Sequence, residues 1–285
     1  MIAMTSRDDD PGTGRVLHQD RARAQSFGGD ADRYDRSRPT YPEALFDHIL
    51  GPAPTSLDVL DVGCGTGIAS RLMAARGATV LGVEADSRMA EVARRRGTPV
   101  EVARIEDWDA HERTFDRVTA AQVWHWVHPR AGAARAASVL RPGGRLCLFW
   151  NIGHPPGDVR DAFDRVYREV APGADGYSVI LGYAVGQRYQ AEREGIGATP
   201  GLSGPEEHHF EWTRFYSTDD WLDQLPTHSD HAAMDADTLA RVLEGIAAVL
   251  DGAGGGFEMT YSTLLLESTR SAPPAYAHRH GRAGP

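Results

Sequence analysis

Apolar residues fall in short runs separated by amphipathic stretches, and over the first half of the chain the alternation is regular. Leu57-Asp58-Val59-Leu60-Asp61-Val62 has the length and composition of a strand, and a glycine loop and a helical pattern over Ile68–Arg76 follow it. Strand then helix recurs at Thr79–Val83 and Ser87–Arg96. Val100–Arg104 is a third, shorter strand. Phe115–Ala121 is a fourth, with a helix over Pro129–Leu140, and Arg145–Trp150 is a fifth, introduced by the turn Pro142-Gly143-Gly144. Strands separated by single helices predict βαβ units, a parallel sheet, and right-handed crossovers that place helices on both faces.

Beyond Asn151 the rhythm changes. Gly157–Val170 reads as an amphipathic helix and His208–Tyr216 as β-like. Ser217, Thr218 or Asp219 caps the next helix, Asp237–Leu250 is a further one, and Phe257–Glu267 is the last strand. A long helix turning through Asp251–Gly256 into that strand predicts an antiparallel edge strand. The expected fold class is α/β: a Rossmann-like doubly wound sheet, mostly parallel with an antiparallel last strand, plus a small helical cap. Residues 26–151 form the core that binds the ligand, 152–206 the cap and 207–270 the C-terminal part of the sheet. The breaker-rich stretches 1–25 and 271–285 read as a disordered arm and tail.

Composition narrows the chemistry. The 285 residues suffice for a core without staples, and two cysteines, Cys64 and Cys147, make no disulfide framework. No apolar run reaches the roughly 18–20 residues that cross a bilayer, and residues 1–25 lack the apolar stretch of a secretory signal, so a cytoplasmic setting is expected. All 30 basic residues are arginine, against 40 acidic ones, a net of −10. The missing lysine excludes Schiff-base, pyridoxal-anchoring and Walker-lysine chemistry. The negative balance repels phosphate backbones, so no nucleic acid and no membrane is expected as a partner. The one dense basic run, Arg94-Arg95-Arg96, ends a helical pattern, where cations complement the helix dipole.

The first strand ends in Asp61-Val62-Gly63-Cys64-Gly65-Thr66-Gly67. Alternating glycines let the backbone turn and approach a ligand closely. The second strand ends in Glu84, which is placed to accept both hydroxyls of a ribose. A dinucleotide fingerprint wants glycine where Ile68 stands, which disfavours a nicotinamide dehydrogenase. A carboxylate at Asp61 suits a cationic nucleoside, S-adenosyl-L-methionine, better than a pyrophosphate.

With these residues the chain resembles a class I S-adenosylmethionine-dependent methyltransferase of the small-molecule subgroup. Asp61–Gly67 resembles the first motif of that family. Val83-Glu84-Ala85-Asp86 with Met89 resembles the second, where the acid binds ribose and its neighbours flank adenine. Ala103-Arg104-Ile105-Glu106-Asp107 resembles the third, at the adenine edge. Ala121-Gln122-Val123-Trp124-His125-Trp126 resembles the segment lining the methionine side, and Leu140-Arg141-Pro142-Gly143-Gly144 the turn before the fifth strand. Tyr34–Pro42 resembles an N-terminal cover in which Tyr34 and Arg38 meet the carboxylate end of the cofactor. Arg104 departs from the pattern, because it cannot accept from the adenine amino group; that role passes to Glu106 or Asp107.

The resemblance implies cofactor contacts from Tyr34, Arg38, Asp61, Gly63, Cys64, Gly65, Gly67, Glu84, Ala85, Met89, Ile105, Glu106, Asp107 and Gln122. It also implies methyl transfer to oxygen, nitrogen or carbon of a small-molecule acceptor, with secondary metabolism as a setting, by a monomer or homodimer. His125 is the candidate general base, by its position at a strand end and its ordinary pKa near neutrality; the alternative is a wall residue between packed tryptophans. His128 is a weaker candidate. No metal is expected, because on a strand His208 and His209 point to opposite faces. Tyr177, Tyr183 and Tyr189 are candidate pocket walls. Two other readings keep the nucleoside site: a non-methylating rearrangement or cyclisation, and a non-catalytic regulator.

Overall fold

The computed structural model describes His18 and residues 26–172 and 189–272. Its strands are β1 (Asp58–Val62), β2 (Thr79–Glu84), β3 (Val100–Val102), β4 (Phe115–Ala121), β5 (Leu140–His154), β6 (Glu206–Ser217) and β7 (Gly256–Thr269). Its α-helices are α1 (Ala31–Ser37), α2 (Glu43–Leu50), α3 (Ile68–Ala75), α4 (Ser87–Arg95), α5 (Pro129–Val139), α6 (Gly157–Val170), α7 (Gln190–Gly197), α8 (Thr218–Gln224) and α9 (Ala236–Gly252). The strands join one sheet in the order β3-β2-β1-β4-β5-β7-β6, with β7 antiparallel to both neighbours. This is the Rossmann-like α/β architecture the sequence predicts. Tyr177 and Tyr183, like the arm and tail apart from His18, Ser271 and Ala272, lie outside the described residues.

Two expectations are corrected. The last strand is not the edge: β7 lies between β5 and β6, and β6 is the edge. The reason is visible in burial. Residues 263–268 are buried without a break, as in a strand covered on both faces, whereas β6 alternates half-buried and exposed positions. The fifth strand is also longer than Arg145–Trp150. Pro142-Gly143-Gly144 is an irregularity within it, with Gly143 at φ +79°. At the other end β7 keeps pairing it as far as His154 opposite Thr260.

Two cores cover the sheet. On one face Leu60, Val118, Leu146, Leu148, Trp150 and Leu264 pack under α5 and α7. On the other Val59, Phe149 and Leu265 pack against Leu45, Phe46 and Ile49 of α2 and Met73 of α3. Each such side chain contributes about 1.5–3 kcal/mol by leaving water. A further cluster joins Phe163 and Tyr167 of α6 to Val242 and Ile246 of α9, Trp221 of α8 and the ends of β6 and β7. Helix α6 therefore extends the long β5-β7-β6 half. Helix α7 joins the main core: Tyr189 stacks on Trp150 at 4.2 Å, which makes it a core residue.

Candidate functional site

β1 and β2 finish side by side, Val62 opposite Val83. The chain leaves β1 through a tight turn in which Gly63 N–H donates to the Val83 carbonyl at 2.7 Å. Gly63, Gly65 and Gly67 all have positive φ. At Gly63 a Cβ would overlap Val123, and at Gly67 it would meet Thr98, so neighbouring packing alone requires those two glycines. Gly65 differs: its added Cβ would sit 3.5 Å from Met89 Cε, an ordinary contact.

Glu84, at the end of β2, accepts the N–H of Gly65 at 2.9 Å and that of Asp86 at 2.8 Å. No cation pairs with it among the described residues, and burial pushes its carboxyl above the usual range. An ionised carboxylate offers about four lone-pair sites, so two stay open for hydroxyl donors. Ala85 beside it is exposed; Met89 is buried.

Asp61 is fully buried and faces α3, accepting from Ser70 Oγ at 2.5 Å and Thr119 Oγ1 at 2.9 Å. Burial pushes its carboxyl up to about 6 against the pull of these two hydroxyls. Its carboxylate ties the end of β1 to α3, which follows the loop, and to β4. The Cys64 side chain packs with Ala90, Ala93 and Val100, and burial pushes its thiol well up.

At the third strand end Ile105 is buried. Glu106 accepts the His128 N–H at 3.1 Å and pairs with Arg104 at 3.0 Å. Asp107 is exposed, with Arg104 at 3.8 Å. Arg104 thus holds the two acids that the sequence left as alternatives. His128 caps α5 through its Nδ1, on the exposed side.

At the end of β4 Gln122 takes φ +60°, a conformation that non-glycine residues seldom adopt and that collects at functional sites. Its side chain donates to the Asn151 carbonyl at 3.3 Å. Trp124 is fully buried. His125 is half-buried against Trp126, with ring centroids 4.9 Å apart, and Trp126 meets Phe27 at 6.3 Å.

The N-terminal segment crosses above these strand ends. Phe27 and Tyr34 pack on Ala31, Met89 and Val92. Helix α1 is tied on both flanks. Asp35 pairs with Arg71 at 2.8 Å and Arg96 at 3.3 Å, and Asp32 pairs with Arg95 at 2.9 Å. On the other side Arg33 and Arg36 converge on Asp223 of α8 at 2.9 and 3.0 Å. The basic run at the end of α4 therefore holds a cover as well as a dipole, which a one-dimensional reading misses. The Arg38 guanidinium lies 5.0 Å over the Tyr34 ring and 3.0 Å from His228 Nδ1, with no carboxylate partner among the described residues. Burial, then the Arg38 charge, pushes His228 well below the usual imidazole range and keeps it neutral.

An adenosine group fits this donor set. Glu84 supplies a carboxylate for a diol, without a cation partner among the described residues, and Met89 and Phe27, packed together, with Trp126 against Phe27 supply apolar surface.

Residues 60–148 match the methyltransferase domain family. Over 252 residues the chain is 29% identical to an uncharacterized methyltransferase of Mycobacterium tuberculosis, covering 86% of this chain and 95% of that one. It is 38% identical over 103 residues to a ubiquinone biosynthesis O-methyltransferase of Xanthomonas axonopodis, covering 33% of this chain and 43% of that one. A solved chain from Anaeromyxobacter dehalogenans, provisionally assigned as a type II methyltransferase, superimposes with a TM-score of 0.59 at 24% identity. That match covers 81% of this chain and 97% of the other, and speaks for the fold. Residues 60–148 thus carry a methyltransferase domain, and in motifs and sheet order the chain is similar to the class I S-adenosylmethionine-dependent methyltransferases.

Proposed function

We propose that the chain transfers a methyl group to oxygen, nitrogen or carbon of a small-molecule acceptor in the space between the strand ends and the N-terminal cover. The observation that carries this is Glu84, a half-buried carboxylate with no cation partner among the described residues, held by the Gly65 amide at the mouth of the glycine loop. When bound, the cofactor supplies an electrophilic methyl on a sulfonium.

In this reading Glu84 holds the ribose hydroxyls. Ala85, Met89 and Ile105 flank the adenine, with Glu106 or Asp107 at its edge. Main-chain groups of Gly63, Cys64, Gly65 and Gly67 line the turn. Asp61 acts indirectly, tying the end of β1 to α3 and β4. Tyr34 and Arg38 reach the carboxylate end, where a guanidinium without a carboxylate partner is the natural complement. Gln122, held in its unusual backbone conformation, lines the methionine side. Positioning is the main task, because the leaving group departs neutral and the reacting atoms must stay in line away from water. Phe27 and Trp126 help exclude that water. His125, on the turn after β4, takes the proton of an acceptor that starts protonated.

The acidic chain favours an uncharged, cationic or small acceptor over a nucleic acid. The relative named for ubiquinone biosynthesis supports oxygen as the accepting atom. The test is incubation of purified protein with S-adenosylmethionine and a panel of phenols, amines and enolisable carbonyl compounds, read by mass spectrometry. Methylated product with an equal amount of S-adenosylhomocysteine is expected. Product formed without S-adenosylhomocysteine would favour the rearrangement reading. Cofactor binding with no turnover on any acceptor would favour the regulator.

A further inference from the structure

We propose a second site, a transition-metal site of the zinc class formed by His48, His208 and Glu267, where α2 meets the edge of the sheet. The three residues come from α2, β6 and β7. One donor atom from each lies within 4.8 Å of the others, and His48 Nε2 is 3.3 Å from Glu267 Oε2. The imidazole rings tilt toward each other with centroids 4.4 Å apart. Nε2 of both histidines is buried without a hydrogen-bond partner among the described residues. Two orphaned imidazole nitrogens beside one carboxylate need a common partner, because a buried polar atom left unpaired costs roughly 1–3 kcal/mol.

A proton on His48 does not supply that partner. Glu267 is already paired with Arg145 at 2.9 and 2.8 Å, so a second cation there adds little, and His208 stays unsatisfied. A metal ion satisfies both imidazoles at once. Glu267 can keep Oε1 on Arg145 and turn Oε2 to the ion, the arrangement in which an outer partner orients a metal-bound carboxylate. Two imidazoles and one carboxylate suit zinc or cobalt better than magnesium or calcium. The His48 side chain is 30% exposed, which leaves an entry path and room for a water as fourth ligand. The Cys147 Sγ is buried 3.8 Å from Glu267 Oε2 and is not one of the three donor atoms.

The site stands apart from methyl transfer. Asp61 pairs with Thr119, Thr119 with Cys147, and Cys147 with Glu267, so Glu267 lies three strands from the glycine loop, about 14 Å at the usual strand spacing. Its consequence is mechanical. It staples α2, and with it the Tyr34–Pro42 cover, to the two C-terminal strands.

The experiment is titration of chelator-treated full-length protein with zinc chloride against a competing dye, together with the visible spectrum after adding cobalt chloride. The proposal expects one zinc bound at micromolar or lower Kd, a higher melting temperature, and the intense visible bands of four-coordinate cobalt without a thiolate charge-transfer band. His208→Gln should weaken zinc about a hundredfold or more. His209→Gln, whose ring faces Ser262 on the opposite side, should leave it unchanged. No binding by the parent protein below millimolar zinc would overturn the site, as would equal affinity in His208→Gln. The parent cobalt spectrum decides the matter even should His208→Gln fail to fold.

Discussion

The glycine loop and the N-terminal cover face each other across one cleft, yet they are held in different ways. The loop is buried chain: Gly63 is locked under Val123, Asp61 takes two hydroxyl donors, and Glu84 takes two amides. The cover rests on one small apolar cluster around Ala31 and Met89 and on ion pairs, with the buried Asp35 and the more exposed Asp32, Arg33 and Arg36 reaching partners on α3, α4 and α8. Packed main chain gives a fixed geometry whose loss is costly. Exposed ion pairs contribute about 0–1 kcal/mol each and weaken with salt. One side of the cleft is therefore held by packed main chain, and the other leans more on contacts that salt weakens.

His125, on the packed side, gives the largest expected effect. His125→Ala should cut turnover about a hundredfold or more, with cofactor affinity unchanged in a calorimetric titration. Parental turnover would make it a wall residue and leave that side without a base.

The next effect belongs to Asp61. Its folded pKa is raised, so protonation is favoured in the native state; its stabilising contribution is present at acid pH and is lost as pH rises through about 6. The loss amounts to about 3 kcal/mol by linkage. Urea midpoints of the parent should carry this decline between about pH 4 and pH 6.5, and Asp61→Asn should remove it. Parallel curves for the two proteins would show that the buried charge carries no such strain.

Glu84→Ala should weaken S-adenosylmethionine at least tenfold, about 1.4 kcal/mol, since it removes ribose acceptors and frees the Gly65 amide. Unchanged affinity would displace the cofactor from this strand end. The smallest effect falls on the cover. Asp223→Ala removes the carboxylate that Arg33 and Arg36 share and should lower cofactor affinity severalfold at low ionic strength, with little change in melting temperature. Raising the salt should bring parent and variant together. A difference that persists at high salt would make the cover a packed element like the loop.

The same contrast explains what could be read in one dimension. The strands and helices from Asp58 to Trp150 follow from period and turn residues, because each βαβ unit is local; even α6, at Gly157–Val170, matches its amphipathic pattern. The glycine loop is legible for the same reason, since strand, turn and helix are contiguous. The cover is not. Arg33 and Asp223 are 190 residues apart, and charges on two helix surfaces look solvated until the fold brings them together. Helices α1 and α2 are likewise hard to read from the sequence, being short and stabilised by what they pack on. The place of β7 was available in the contrast between Leu264-Leu265-Leu266 and the alternating β6, but a helix followed by a final strand argued more loudly for an edge.

That place has a consequence for how the molecule is made. Among the described residues β6 pairs with β7 alone, so on the ribosome it emerges before the strand it needs. Its inward face, from His208 through Phe210 to Arg214, is also the surface on which His48, Tyr41 and Arg38 come to rest. A nascent chain halted before residue 256 would therefore hold the glycine turn and the α1 contacts on α3, α4 and α8, yet lack the strand that seats β6 beneath His48 and Tyr41.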